Sequence, residues 1–393
     1  MNLVRKPGLA VISFIVLMCM GCDQIYRPVA NPILSPPGDP GATRGALVVE
    51  NNGGGVGATD LINTGGDTLV GVMITGANAV HAAILTSNSL SAVANQGEDS
   101  VLIYTTFLPS NPGVFVSLPA GSQPVYLATT QNTVVYVAEA GTGKVGAVTS
   151  AGVLSSEASV GGTPVALAET PDQTHLYAVL SGGSVADLVP GDFTVAPVSI
   201  AVGANPVFAA ASTDSKLVFV VNQGGNSVSV IDTATDTVVQ TIPVGPSPNF
   251  AKYDANRKHL YVTNSGGNTV SVIDASGTVP FPAPVTVTVG SAPTSVAALA
   301  DGSRAYVANS GSGTVSVINA GSLTVVKTIP VGTTPLSIDS SADSARVVVA
   351  NRDTVNAGSA IIGSITDITT TTDTVVNTFL PARSNPILVV TTH

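Results

Sequence analysis

Five prolines, spaced almost evenly along the chain, limit its fold more than any other feature. Pro164, Pro206, Pro248, Pro293 and Pro335 are separated by 42, 42, 45 and 42 residues, and each closes the same pattern of Val-Gly, two residues and Pro. Weaker copies end at Pro124 and Pro386. A period of this size means tandem units that cannot bury their apolar faces alone and must stack on neighbours. Three units align by eye: LVFVVNQGGNSVSVIDTATDTVVQTIPVGPSP (217–248), LYVTNSGGNTVSVIDASGTVPFPAPVTVTVGSAP (260–293) and AYVANSGSGTVSVINAGSLTVVKTIPVGTTP (305–335). Each holds short runs rich in Val, Ile and Thr, bounded by Gly, Asn, Asp and Pro, which is the pattern of an antiparallel meander. In the unit after Pro248 the predicted strands are Asn249–Tyr253 (a), His259–Thr263 (b), Thr269–Asp274 (c) and Val285–Val289 (d), with a tight turn at Asn264–Asn268. Four strands in about 42 residues make the blade of a β-propeller, so the fold class is all-β.

The ends of the chain set the blade number. Residues 46–75 match strands b, c and d with no strand a before them, and Pro386–His393 matches a strand a with nothing after it. Pairing the two closes a ring and removes the open edges that a β protein must otherwise protect. Full units at 78–123, 124–163, 164–205, 206–247, 248–292, 293–334 and 335–385, together with the shared one, predict eight blades. Seven is the alternative.

The motif Tyr261-Val262-Thr263-Asn264, with variants at Tyr306–Asn309, Phe219–Asn222 and Val348–Asn351 and more degenerate ones at Tyr136–Glu139 and Tyr177–Leu180, resembles the repeat of the YVTN family of β-propellers. The resemblance covers nearly all of 46–393. The chain has no Trp, which argues against WD and kelch blades. Many members of the YVTN family have seven blades, and relatives include lactonases, quinoproteins and the multi-histidine copper centre of nitrous-oxide reductase. The four histidines here, His81, His175, His259 and His393, are too dispersed in sequence for such a copper centre. No Cys-x-x-Cys-His is present for covalent haem. The reading therefore assigns no cofactor and no metal site.

Ahead of the repeats, Arg5 and Lys6 precede 13 apolar residues, Gly8–Met20, too few to cross a bilayer and suited to a secretory signal. The run ends at Met18-Cys19-Met20-Gly21-Cys22, which resembles the lipobox of bacterial lipoproteins, although Cys19 and Met20 depart from the usual Leu and small residue. The resemblance implies a signal peptide over 1–21, a lipid on Cys22 and a protein of the bacterial cell envelope, periplasmic or on the cell surface. Asp23 after the lipidated Cys is the inner-membrane retention residue of enterobacterial lipoproteins. Both cysteines fall within the first 22 residues, so no intrachain disulfide forms in the mature chain. Residues 22–45 crowd Pro28, Pro32, Pro36, Pro37 and Pro40 together and read as an extended tether of at most roughly 70 Å. The propeller then occupies 46–393.

Charge narrows the partners. Only 10% of the 393 residues are charged and the net charge is −10, with no basic run to neutralise a phosphate backbone, so nucleic acid is excluded as a partner. Without Arg5 and Lys6 the mature chain carries 12 basic and 24 acidic side chains, and the acyl chains rather than the surface must hold it to anionic lipid.

A residue with its own chemistry should break the repeat rather than share it. His175 and His259 share one position, the entry to strand b, where another unit has Arg304, and read as solvated turn residues. Asp232, Asp274 and Asn319, and Asp67, Asp236 and Asp373, recur with the period and read as turn residues bonding their own backbone. Asn222, Asn264, Asn309 and Asn351 are expected to hold left-handed backbone at the b–c turn. Gly53–Gly55 and Gly266–Gly267 lie between strands and not before a helix, so they are hairpin turns and not phosphate cradles. Glu169, Lys252, Tyr253 and Asp339 lie in or beside strand a without counterparts in neighbouring units, and are the expected polar lining of the channel. The long loops at 351–359 and around Pro280, Pro282 and Pro284 are further places for binding. The favoured function is a monomeric, lipid-anchored binding or scaffold propeller whose partner is an envelope or extracellular protein or glycan. The alternative is an enzyme of lactonase or quinoprotein type with its site at the channel mouth.

Overall fold

Alternating apolar residues make each unit a sheet, and the identity of the middle strands makes that sheet bury both of its faces. The computed structural model describes residues 44–51, 55–107, 112–131, 133–352, 363–381 and 385–392. Cys22 with its proline-rich tether, most of the 351–359 loop, and His393 lie outside the described residues. Eight four-stranded antiparallel sheets follow one another around a ring. Seven are built from consecutive strands and are numbered here blades 1 to 7 in the order of the units above. Blade 8 combines Gly45–Glu50, Val56–Asn63 and Thr68–Ala77 with the carboxyl-terminal strand Pro386–Thr391, which pairs antiparallel with Gly45–Glu50 through Leu47 opposite Val390 and Val48 opposite Val389.

The predicted strands of blade 5 are present at Pro248–Asp254, His259–Asn264, Thr269–Asp274 and Val285–Thr288. In strands b and c nearly every side chain is buried: Leu260, Tyr261 and Val262, like Val270 and Ile273, are fully enclosed. Such strands read as continuous apolar runs because a blade on each side covers them. Eight separate apolar cores result among the described residues, one between each pair of adjacent blades, and the last of them joins blade 8 to blade 1 through Leu47, Val49, Ala82 and Ile84. The ring is closed by the same packing that holds its interior interfaces.

The motif asparagines do not act as expected. Asn222, Asn264, Asn309 and Asn351 are the last residues of strand b, fully buried, and their backbones are not left-handed. Their carboxamides instead donate across the hairpin to strand c, as from Asn264 Nδ2 to Thr269 Oγ1 and Ser271 Oγ, both 3.0 Å. Positive φ falls instead on the residue just before strand c, Asn226 (48°) and Asn268 (53°), and on the residue before the repeat proline, as at Asn205, Ser247 and Ala292. In three of the five copies the glycine of the Val-Gly-x-x-Pro motif is explained by the same contact, whereas Gly161 meets nothing within 4 Å and is instead at positive φ (77°). A Cβ on Gly203, Gly245 or Gly290 would lie 2.6–2.7 Å from the carboxamide of Asn222, Asn264 or Asn309, so this turn passes the buried asparagine only as glycine.

Candidate functional site

The innermost strand of each blade runs along the ring axis, and its last residues form one mouth of the channel. Where Pro248–Asp254, Pro293–Ala298, Pro335–Ser340 and Pro386–Thr391 end, they enclose a cavity of about 530 Å³. Most of its wall consists of small neutral residues, among them Ala255, Ala298, Ala342, Ser340 and Ser341. Lys252, Tyr253 and Asp339, all singled out in the sequence, are also on this wall.

The charged pair is tied to the fold. Asp339 Oδ2 accepts from the backbone N–H of Thr391 at 3.0 Å and from its hydroxyl at 2.9 Å, while Oδ1 faces Lys252 Nζ at 3.5 Å. Asp339 thus anchors the carboxyl-terminal strand of blade 8 to blade 7, and Lys252 reaches it from blade 5. Tyr253 stacks on Phe219 at 5.8 Å, and burial and the nearby carboxylates of Asp214 and Asp254 push its phenol up.

Deeper in the ring, four rings form a chain. His81 lies against Tyr126 at 3.9 Å with the rings tilted by 30°, Tyr126 reaches Phe208 edge-on at 6.3 Å, and Phe208 meets Phe250 at 4.5 Å. His81 Nδ1 accepts from the backbone of Leu127, and burial pushes its pKa down to about 3, so it is a neutral member of this aromatic layer.

Glu169 is placed differently from the other three candidates. It is buried, and its carboxylate accepts from Thr130 N at 2.7 Å and Gln131 Nε2 at 3.2 Å, tying blade 3 to the a–b turn of blade 2. Burial raises its pKa in spite of these bonds.

A second group of polar residues lies between blades, and here the periodic reading needs correction. Asp232, Asp274 and Asn319 do bond their own turns. Asp67, Asp236 and Asp373 occupy left-handed c–d turns but turn their carboxylates onto the preceding blade. Arg346 of blade 7 grips Asp67 of blade 8 with two bonds of 2.7 and 2.9 Å, Arg304 and Tyr306 of blade 6 hold Asp373 of blade 7, and Tyr177 of blade 3 donates to Asp236 of blade 4 at 2.9 Å. His175 is not a freely solvated turn residue. Its Nδ1–H donates to Asp187 Oδ2 at 2.8 Å, and Asp236 Oδ1 lies 4.0 Å away. His259, at the same position in blade 5, is half-buried edge-on to Tyr261. Sequence reasoning passed over Asp187. Its signal was available, since it stands in strand c where blades 4, 5 and 6 carry Val230, Val272 and Val317.

A ring of eight four-stranded antiparallel blades defines a β-propeller, here with a cavity at one end of its channel. A family model described as "Lactonase, 7-bladed beta-propeller" matches residues 128–353, and the chain belongs to that family, here with eight blades. No curated protein matches the sequence. Among solved structures, the dihydro-heme d1 dehydrogenase NirN is similar with a TM-score of 0.71 at 15% identity, over 92% of this chain and 78% of that one. The hydrazine synthase of Kuenenia stuttgartiensis is similar with a TM-score of 0.59 at 20% identity, over 74% of this chain and 95% of that one. A functionally unknown protein from Desulfotomaculum acetoxidans gives 0.55 at 16% identity, over 89% and 99%. At these identities the likeness is one of fold.

Proposed function

We propose that this protein is a lipid-tethered propeller of the bacterial cell envelope that binds the end of a glycan at its channel mouth. The observation that carries the reading is the wall of the 530 Å³ cavity, made mostly of short neutral side chains, with Lys252 and Asp339 already paired and Asp254 buried against its own turn. Asp339 is occupied by Thr391 and Lys252, and Asp254 Oδ1 accepts from the backbone N–H groups of Asn256 and Arg257, so these charged groups serve the fold. What remains is recognition chemistry. Ser340, whose Oγ donates to Ala298 O, keeps lone pairs that can accept from a sugar hydroxyl, Tyr253 offers an aromatic edge, and the volume lies in the range of a small-ligand site. Tethering rests on the basic pair at Arg5 and Lys6, the short apolar run and Cys22, with 22–45 as spacer. A second reading, lactone hydrolysis at the same mouth, is favoured by the family match.

One set of proteins tests both. Envelope glycan fragments and a panel of lactones are offered to wild type, to Lys252→Ala and to Ala342→Trp, which fills the rim. Saturable glycan binding lost in Ala342→Trp supports the recognition reading. Turnover of a lactone that Lys252→Ala abolishes would replace it with the enzymatic one, and capture of a protein partner by the same mouth would overturn the glycan assignment. Radiolabelled fatty acid should mark wild type and not Cys22→Ser, and an unlabelled wild type would end the tether reading.

A further inference from the structure

The interfaces between blades repeat one design, and that repetition exposes an imbalance of charge at one of them. At each interface a residue at the entry of strand b and another two positions on face a strand c residue of the same blade and the c–d turn of the next. Between blades 5 and 6 the set is His259, Tyr261, Val272 and Leu323, none of them a carboxylate, while Asp254 and Asp274 stand beside His259 on strands a and c. Between blades 6 and 7 it is Arg304, Tyr306, Val317 and Asp373, with one carboxylate against one guanidinium. Between blades 7 and 8 it is Arg346, Val348, Asp367 and Asp67, and two carboxylates share the guanidinium at 3.8 and 2.7 Å. Between blades 3 and 4 it is His175, Tyr177, Asp187 and Asp236. The two carboxylates are those of blades 7 and 8 over again, but an imidazole stands where the arginine stood.

We propose that the His175–Asp187–Asp236 cluster is a site for a divalent transition-metal ion of the zinc class, which supplies the positive charge that Arg346 supplies between blades 7 and 8. His175 Nδ1 and one oxygen from each carboxylate lie within 4.8 Å of one another, a spacing that a bound ion would draw in. An independent observation points to a missing partner: Asp187 is only 7% exposed, and its Oδ1 is buried without any hydrogen-bond donor. A buried carboxylate oxygen left bare is costly unless a cation meets it. One imidazole and two carboxylates suit zinc and its first-row neighbours, whereas magnesium and calcium favour all-oxygen sites. On binding, the proton of His175 Nδ1 passes to solvent and its lone pair becomes the ligand. Tyr177, donating to Asp236, is the positioning residue that orients that carboxylate. With His175 and Asp236 part-exposed, the ion has a path from solvent and room for water as a fourth ligand.

The test uses the full chain, stripped with chelator and titrated with ZnCl₂ against a chromophoric competitor, with CoCl₂ as a spectroscopic probe. Wild type should take up one ion at this site, with cobalt d–d bands lacking thiolate charge transfer. Asp187→Val installs the residue type of blades 4 to 6 and should weaken zinc binding by about 100-fold or more, since loss of even outer-shell partners costs about 10–100-fold. His175→Arg installs the guanidinium of blade 7. It should abolish the site and raise the melting temperature of the metal-free protein, which shows the fold intact and the charge repaired. Tyr177→Phe should bind more weakly but saturably. Zinc uptake equal in wild type, Asp187→Val and His175→Arg, or no saturable uptake by wild type, overturns the proposal. MgCl₂ or CaCl₂ displacing zinc from the site at equal concentration would overturn its assignment to the zinc class.

Discussion

Asn264 and Gly245 belong together although 19 positions separate them in the chain. The carboxamide spends its donors on Thr269 and Ser271, and the glycine leaves the space that the carboxamide fills. Asn264→Ala should therefore cost about 2–3 kcal/mol, the range for stranding buried hydroxyls and losing bonds to them. Gly245→Ala should cost about 1–3 kcal/mol by overpacking, with no φ strain to add, because Gly245 is not at positive φ. Urea midpoints at constant m-value measure both. The two losses should not add. In the double variant the new methyl occupies the room left by the carboxamide, giving a favourable coupling of about 1 kcal/mol. Strict additivity would show that the Val-Gly motif has another cause.

Charge between blades gives a pH signature. Burial and the neighbouring Asp67 raise the pKa of Asp367 to about 7 from an ordinary 3.8, although Arg346 pulls the other way. The folded state then holds more protons than the unfolded one between about pH 4 and pH 7, so this group's contribution to stability falls as pH rises through that window. Asp367→Asn should flatten the melting temperature over pH 4–7 and raise it by about 2–4 °C at pH 8. Arg346→Met should do the reverse and cost about 3 kcal/mol at pH 8, since it strands two carboxylates. Identical pH profiles for wild type and Asp367→Asn would refute the assignment. These clasps show what the sequence could and could not convey. Strand limits and the blade count were legible because turn residues and Val-Gly-x-x-Pro recur with the period, and strand c of blade 5 is present as read, at Thr269–Asp274. Lys252, Tyr253 and Asp339 were found because they break that period, and they do share one cavity. Asp187 breaks it too, but in a unit whose b-strand is degenerate, so its register against Val230 was hidden. Its partner Asp236 lies 49 residues on, brought near by the packing of one blade on the next, which no local pattern encodes. Asp67 and Asp373 were misread for the opposite reason: their left-handed turns account for the residue type, and so concealed what the side chain does.

Closure of the ring depends on a strand that comes from the far end of the chain. Ala46, Leu47, Val48 and Val49 are all buried, and they are the residues that removal of Pro386–Thr391 would uncover, as an unpaired edge. Asp339 would lose both donors from Thr391 at the same time, leaving the Arg44–Asp343 and Arg346–Asp67 ion pairs among the polar ties between blades 8 and 7. A chain ending at Asn385 should therefore lose the single cooperative transition and associate with increasing concentration, because a bare apolar edge recruits another edge. A synthetic peptide of residues 385–393 should restore the monomer, which sedimentation can follow. Thr391 and Thr392 also form part of the cavity wall, so closure and recognition are coupled. A ligand that binds the closed mouth and not the open ring must stabilise the ring by mass action, raising the melting temperature of wild type with concentration and that of the truncated chain not at all. If the truncated chain stayed monomeric and melted with wild type, the seven self-contained blades would be sufficient to hold the wheel, and the shared eighth would be a wall of the cavity without being its latch.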